Sequence, residues 1–198
     1  MKNYWDQYYS KNSTPFSESN FAEFSLKYLQ ENVIDIGCGN GRDSVYFSKN
    51  GLRTLGIDGS KIAIENLKKF ENDNLSFDSI DLADIHKVPI GKFKNAYCRF
   101  LFHAINEDVE NLLLNWIKNN IEENLLIETR VMTKKDLEQS KHYRRIVKPD
   151  LFLNKIKKFE MGILYNETSQ KFSPYEYKYN VNDLKEDPSI NRLVIKVN

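Results

Sequence analysis

The stretch VIDIGCGNGRDS, Val33 to Ser44, constrains the fold of this 198-residue chain most, because a short apolar run leads straight into Gly37, Gly39 and Gly41. Glycines at a strand-to-helix turn let the main chain pass through φ > 0 and come close to a ligand with no side chain between. The turn therefore calls for a strand before it, a helix after it and something held against it.

Strand and helix signals alternate along the rest of the chain, the pattern of a parallel sheet wrapped by helices. ESNFAEFSLKYLQEN places Phe21, Phe24, Leu26, Tyr28 and Leu29 at helical spacing, with Ser17 or Ser19 to cap it. RDSVYFSKNG predicts a helix ended by Gly51, and SKIAIENLKKFE another capped by Ser60. Strands are predicted at about 33 to 37, 53 to 57 and 75 to 79, then in NAYCRFLF and NLLIETR. Between these last two, NEDVENLLLNWIKNN carries a stripe of Val109, Leu112, Leu113, Trp116 and Ile117, which predicts a core helix. Pro149 suits the first turn of a helix over KPDLFLNKIKKF, and MGILYNETS and NRLVIKVN supply two late strands joined by a Tyr-rich connection.

The spacing of the glycines narrows the ligand. The dinucleotide pattern G-x-G-x-x-G would need glycine at position 42, where the chain has Arg42, and the Gly-Lys-Ser/Thr ending of a phosphate-binding loop is missing too. Three acids accompany the turn. Asp35 lies two residues before Gly37, Asp58 ends RTLGID about 20 residues later, where an acid can chelate a ribose diol, and Asp81 follows LSFDSI. A carboxylate at Asp81 can accept from an exocyclic amine or a ribose hydroxyl.

DIGCGNG with these acids resembles the S-adenosylmethionine site of class I methyltransferases, and the resemblance spans nearly the whole chain. It implies an α/β fold with a Rossmann-like seven-stranded sheet of order 3-2-1-4-5-7-6, mostly parallel with the last strand antiparallel and helices on both faces. S-adenosylmethionine is the implied cofactor and S-adenosylhomocysteine the product. By the same resemblance, Gly37, Cys38, Gly39, Asn40 and Gly41 line the methionine part, with Arg42 and Asp43 following in the helix. Asp35 orients the amino group, Asp58 beside Gly59 binds the ribose hydroxyls, and Asp81 addresses the adenine amine with Leu82 against the ring. The glycines then serve close approach, since this cofactor has no phosphate.

Reactants in open parallel sheets meet above the carboxyl ends of the strands. Past the fourth strand, Arg99 and His103 stand in an otherwise apolar stretch, Arg99 a candidate for both cofactor and substrate. Glu128 and Arg130 alternate at the end of the fifth strand and so share one side of it. KHYRRIVKP follows, offering His142, Tyr143, Arg144 and Arg145, of which one arginine is expected to face the pocket and the other a structural carboxylate. Glu128-Thr129-Arg130 followed by His142-Tyr143-Arg144-Arg145 resembles a narrower group of bacterial methyltransferases linked to tellurite resistance and surface-polysaccharide clusters. The N-terminal YWDQYY gathers Trp5, Tyr8 and Tyr9 into an aromatic lid or, alternatively, a strap on the outside of the sheet.

The expectation is one methyltransferase domain over residues 1–198, with 1–18 as the lid segment and 131–150 as an acceptor-side insertion. The acceptor is expected to be a small, polar, anionic molecule, phosphorylated or nucleotide-activated, as in surface-polysaccharide modification. His103, His142 and Tyr143 are the candidates for moving its proton. Arginine forks at four positions, Arg99, Arg130, Arg144 and Arg145, suit phosphate or carboxylate.

Composition excludes other classes. A formal charge of +1 provides no global field for nucleic acid, and RFLF stands where a DNA amino-methyltransferase would carry its D/N-P-P-Y/F motif. Short apolar runs predict no membrane span, and a polar, aromatic N-terminus predicts a cytoplasmic protein. Cys38 and Cys98 read as reduced small hydrophobes, and His86, His103 and His142 have no metal-ligand spacing, so no metal is expected. A cofactor-binding inactive subunit or sensor, a protein-side-chain methyltransferase and an NAD-linked oxidoreductase are the competing classes. The oligomeric state stays open.

Overall fold

The computed structural model describes residues 2–11, 17–89, 91–131, 143–170, 172 and 189–198. Its strands are β1 (Asn32–Ile36), β2 (Arg53–Asp58), β3 (Leu75–Ser79), β4 (Phe93–Arg99), β5 (Ile121–Arg130), β6 (Gly162–Ser169) and β7 (Ile190–Lys196). They form one sheet in the order β3-β2-β1-β4-β5-β7-β6. β1 to β5 pair in parallel, while β7 runs antiparallel to both β5 and β6.

Helices α1 (Lys2–Lys11), α2 (Asn20–Leu26), α3 (Arg42–Lys49), α4 (Lys61–Leu67), α5 (Glu107–Asn120) and α6 (Pro149–Lys158) accompany the sheet. Successive residues of the central strands serve opposite faces, as the pleat requires. Ile34, Ala96, Cys98, Leu125, Ile127, Leu193 and Ile195 pack with α5 and α6, whereas Val33, Tyr97, Leu126 and Val194 pack with α2 and α3. Cys38 joins Ile64, Leu67, Leu75 and Phe77 in a third cluster under α4.

Local chemistry fixes the helix starts. Ser19 and Ser60 accept from the backbone N–H of Ala22 and Ala63 at 3.0 and 3.2 Å, and Asn106 does the same for Val109 at 2.9 Å. Glu107, Asp108 and Glu110 in the first turn of α5 suit its positive dipole end. α3 begins at Gly41 with φ +72 and no side-chain cap; a Cβ there would press on Leu67 at 2.7 Å. Gly41 therefore serves close packing of helix on sheet.

Two elements differ from expectation, and a third carried no prediction of its secondary structure. In α5 the buried face is Glu110, Leu113, Leu114 and Ile117, while Leu112 is 39% exposed. Glu110 takes the stripe position because Arg145 and Lys155 reach it there. β4 starts at Phe93 and ends at Arg99, so Phe100 to Phe102 lie beyond the strand. The N-terminal aromatic segment is a helix, α1. Among the described residues no helix is long and apolar enough to cross a membrane.

Candidate active site

A cavity of about 380 Å³ opens above the carboxyl ends of β1, β2, β4 and β5. The strand order reverses between β1 and β4, the place where such sheets leave room for a ligand.

On the β1–β2–β3 side the lining is acidic. Gly37 and Gly39 have φ of +77 and +57, and the Gly37 and Cys38 N–H groups donate to Ile57 O at 2.8 and 3.0 Å, which pins the turn to β2. Asp58 accepts from Gly39 N at 3.0 Å through one oxygen and from Ser60 N at 2.8 Å through the other. Each oxygen keeps a further lone pair for a ligand. Asp35 is buried and accepts from Ser44 Oγ at 2.5 Å. Burial, reinforced by Asp43 and Asp58, pushes its carboxyl up to about 8. Burial raises Asp58 as well. Carboxylates held in this way favour a cationic ligand, whose charge offsets what burial costs them. Asn40 and Gly59 complete this wall, and Asp81 caps the 3₁₀ turn Leu82–Lys87 by accepting from Ala83 N at 3.1 Å, with Leu82 lining the cavity beside it.

Arg42 and Asp43 reach the lining but also tie α3 to α2. Asp43 accepts from Ser19 N, Ser19 Oγ and Tyr97 Oη, each at 2.8 Å, and Arg42 donates to Glu18 O. Gly41 is not in the lining.

α1 covers the same cavity with Trp5, Tyr8 and Tyr9. Trp5 stacks on Tyr9 with ring centroids 6.0 Å apart. The helix docks on α4, where Ser60 Oγ donates to Asp6 Oδ1 at 2.5 Å and Asn66 Nδ2 to Tyr9 O at 3.2 Å. The Tyr9 hydroxyl fills the space that a Cβ on Gly39 would need.

On the β4–β5 side the lining turns basic, with Arg99, Arg130 and Arg144. Glu128 is fully buried behind them, accepting from Arg99 Nε at 3.0 Å and from Arg192 Nε of β7 at 2.7 Å. It does not reach the cavity. His103, 4% exposed, lines the cavity with Nδ1 at 3.3 Å from Thr129 Oγ1. Arg145 turns away to Glu110 and donates from Nε to Ile105 O at 2.8 Å. Its backbone N–H donates to His103 O at 2.9 Å, so it clamps the segment carrying Arg144 onto the loop carrying His103. Tyr143 is 42% exposed and outside the lining. His142 lies outside the described residues.

Sequence reasoning missed Ser60, Tyr97, Phe100, Leu101 and Asn106, all in the lining. Ser60 was read as a helix cap, but nothing in the chain marks a cap as facing a cavity.

The methyltransferase domain family matches residues 33–121, from β1 to the foot of β5. Over 125 residues the chain is 29% identical to the probable cobalt-precorrin-6B C(15)-methyltransferase (decarboxylating) of Methanococcus maripaludis, covering 56% of this chain and 68% of that protein. A solved SAM-dependent methyltransferase from Anabaena variabilis has the same fold, with TM-score 0.69 over 98% of this chain and 92% of its own at 20% identity. So does a TehB-like SAM-dependent methyltransferase from Corynebacterium glutamicum, with TM-score 0.67 over 98% and 95% at 16% identity. A methyltransferase domain over residues 33–121 thus contains the glycine turn, Asp35, Asp58 and Asp81, and the chain shares its fold with the two solved SAM-dependent methyltransferases.

Proposed function

We propose that the chain, as a single domain in the cytoplasm, methylates an oxygen or nitrogen of a small anionic acceptor, phosphorylated, nucleotide-activated or carboxylated. Bound S-adenosylmethionine supplies an electrophilic methyl on a sulfonium sulfur. Gly37 to Asn40 receive its methionine part with Asp35 at the ammonium, Asp58 accepts the ribose hydroxyls, and Asp81 accepts the adenine amine with Leu82 against the ring. Trp5, Tyr8 and Tyr9 form a lid that keeps water from the reacting centre. His103 takes the proton of the nucleophile on its second ring nitrogen. A setting in surface-polysaccharide modification rests on the narrower sequence resemblance alone.

One observation carries the choice of an anionic acceptor: Arg99, Arg130 and Arg144 come from three separate segments yet line one cavity, on the opposite side of the switch point from the acids. Forked guanidinium groups match phosphate and carboxylate oxygens in pairs. A screen of cell-extract fractions with labelled methyl donor identifies the acceptor. With it in hand, Arg130→Met and Arg144→Met should each lower acceptor kcat/KM by about tenfold or more, with S-adenosylmethionine affinity held within about twofold. Unchanged acceptor kinetics in both variants would remove the anionic group from the proposal.

A further inference from the structure

Among the described residues three non-glycines have positive φ: Glu31, Phe100 and Glu160. Glu31 and Glu160 turn the chain after α2 and α6, whereas Phe100, at φ +56, sits at the carboxyl end of β4 and lines the cavity. A bulky residue in the left-handed region is strained, and it persists where its surroundings over-determine it. Phe100 N donates to Glu128 O at 2.7 Å, which extends the pairing with β5 by one residue before the chain turns away. A glycine or asparagine would make that turn at lower cost, so what phenylalanine adds is its ring.

The ring is where the basic side of the cavity converges. The guanidinium carbon of Arg99 lies 4.2 Å from its centroid and that of Arg130 lies 5.2 Å away. The His103 imidazole meets it edge-on at 5.9 Å. Guanidinium groups bind the face of an aromatic ring within about 6 Å and are oriented by it. Two cations from neighbouring strands, which would otherwise repel, share one aromatic ring while Glu128 balances the nearer of them.

We infer that Phe100 is a positioning residue of the acceptor pocket, whose left-handed backbone places its ring so as to hold Arg99 and Arg130 as a paired anion receptor beside His103. What the arginines receive rests on the anionic-acceptor proposal; how they are held does not. The consequence is that acceptor recognition depends on a residue with no polar atom in its side chain, while cofactor binding does not depend on it.

The test uses inorganic pyrophosphate as the probe, titrated into protein loaded with S-adenosylhomocysteine, on wild type, Arg130→Met, Phe100→Asn and Phe100→Tyr. Asparagine tolerates the left-handed backbone and removes the ring, whereas tyrosine keeps the ring. Pyrophosphate affinity should fall about fivefold or more in Phe100→Asn and stay within about twofold of wild type in Phe100→Tyr, with S-adenosylhomocysteine affinity constant throughout. In parallel, the Nε–H resonances of Arg99 and Arg130 should carry ring-current shifts that vanish in Phe100→Asn and return in Phe100→Tyr. If Phe100→Asn melts early, Phe100→Leu, which keeps apolar bulk without a π face, replaces it. Wild-type pyrophosphate affinity or unshifted Nε–H resonances in the ring-less variant would overturn the inference. If wild type and Arg130→Met both ignore pyrophosphate, the anionic-acceptor proposal falls, and the resonances alone decide the role of Phe100.

Discussion

Gly39→Val should abolish measurable S-adenosylmethionine binding while leaving the protein folded. Four effects act together at this position. The backbone there has φ +57, which a β-branched residue adopts only at a cost of about 1–3 kcal/mol. The Cβ would enter the space of the Tyr9 hydroxyl, so α1 must swing off the cavity or the turn must move. Movement of the turn also pulls Gly39 N away from Asp58, whose carboxylate it helps to fix at 3.0 Å. The valine side chain then occupies the surface along which a ligand approaches the main chain. An affinity loss above about 100-fold, or 2.7 kcal/mol, is expected by calorimetry, with a cooperative thermal transition retained. Normal binding in this variant would move the cofactor away from the glycine turn.

Asp58→Ala should weaken S-adenosylmethionine binding by about 1–3 kcal/mol, the worth of charge-assisted hydrogen bonds to a pair of hydroxyls. Both oxygens of Asp58 are already oriented by backbone N–H groups, so the wild-type carboxylate meets the ligand with little rearrangement. Asp58→Asn should fall between the two, since one acceptor oxygen survives without the charge. Adenine or methionine fragments that lack the ribose should show no difference between wild type and Asp58→Ala. A full-strength ribose-bearing ligand on a folded Asp58→Ala protein would take the diol from Asp58.

The central strands were legible because each is a short apolar run ended by a glycine, an acid or a polar turn, and β1, β2 and β3 fall within a residue of where those runs place them. Their order was not legible in this way. Periodicity names strands without ranking them, and the order 3-2-1-4-5-7-6 came from the resemblance of DIGCGNG and its acids to a family. The α5 stripe shows where pattern reasoning slips: an acid at position 110 looks solvent-facing in a hydropathy pattern, but Arg145 and Lys155, 35 and 45 residues away in sequence, neutralise it in the interior. Glu128 shows the same limit, because the strand alternation that grouped it with Arg130 carries no sign of Arg192 on β7. At the site, the cofactor-side acids and glycines were chosen for their chemistry, and all of them but Gly41 line the cavity. Phe100 was not chosen, since left-handed backbone is written in sequence by glycine or asparagine and here a phenylalanine adopts it.

The most direct test of the account is a calorimetric titration of wild-type protein with S-adenosylmethionine and, separately, with NAD. A glycine turn without glycine at position 42 and an acidic wall made by Asp35 and Asp58 favour a cationic ligand with a ribose diol over a pyrophosphate. Saturable binding of S-adenosylmethionine at one site per chain, with no heat from NAD, is the predicted result; saturable NAD binding with none for S-adenosylmethionine would contradict it.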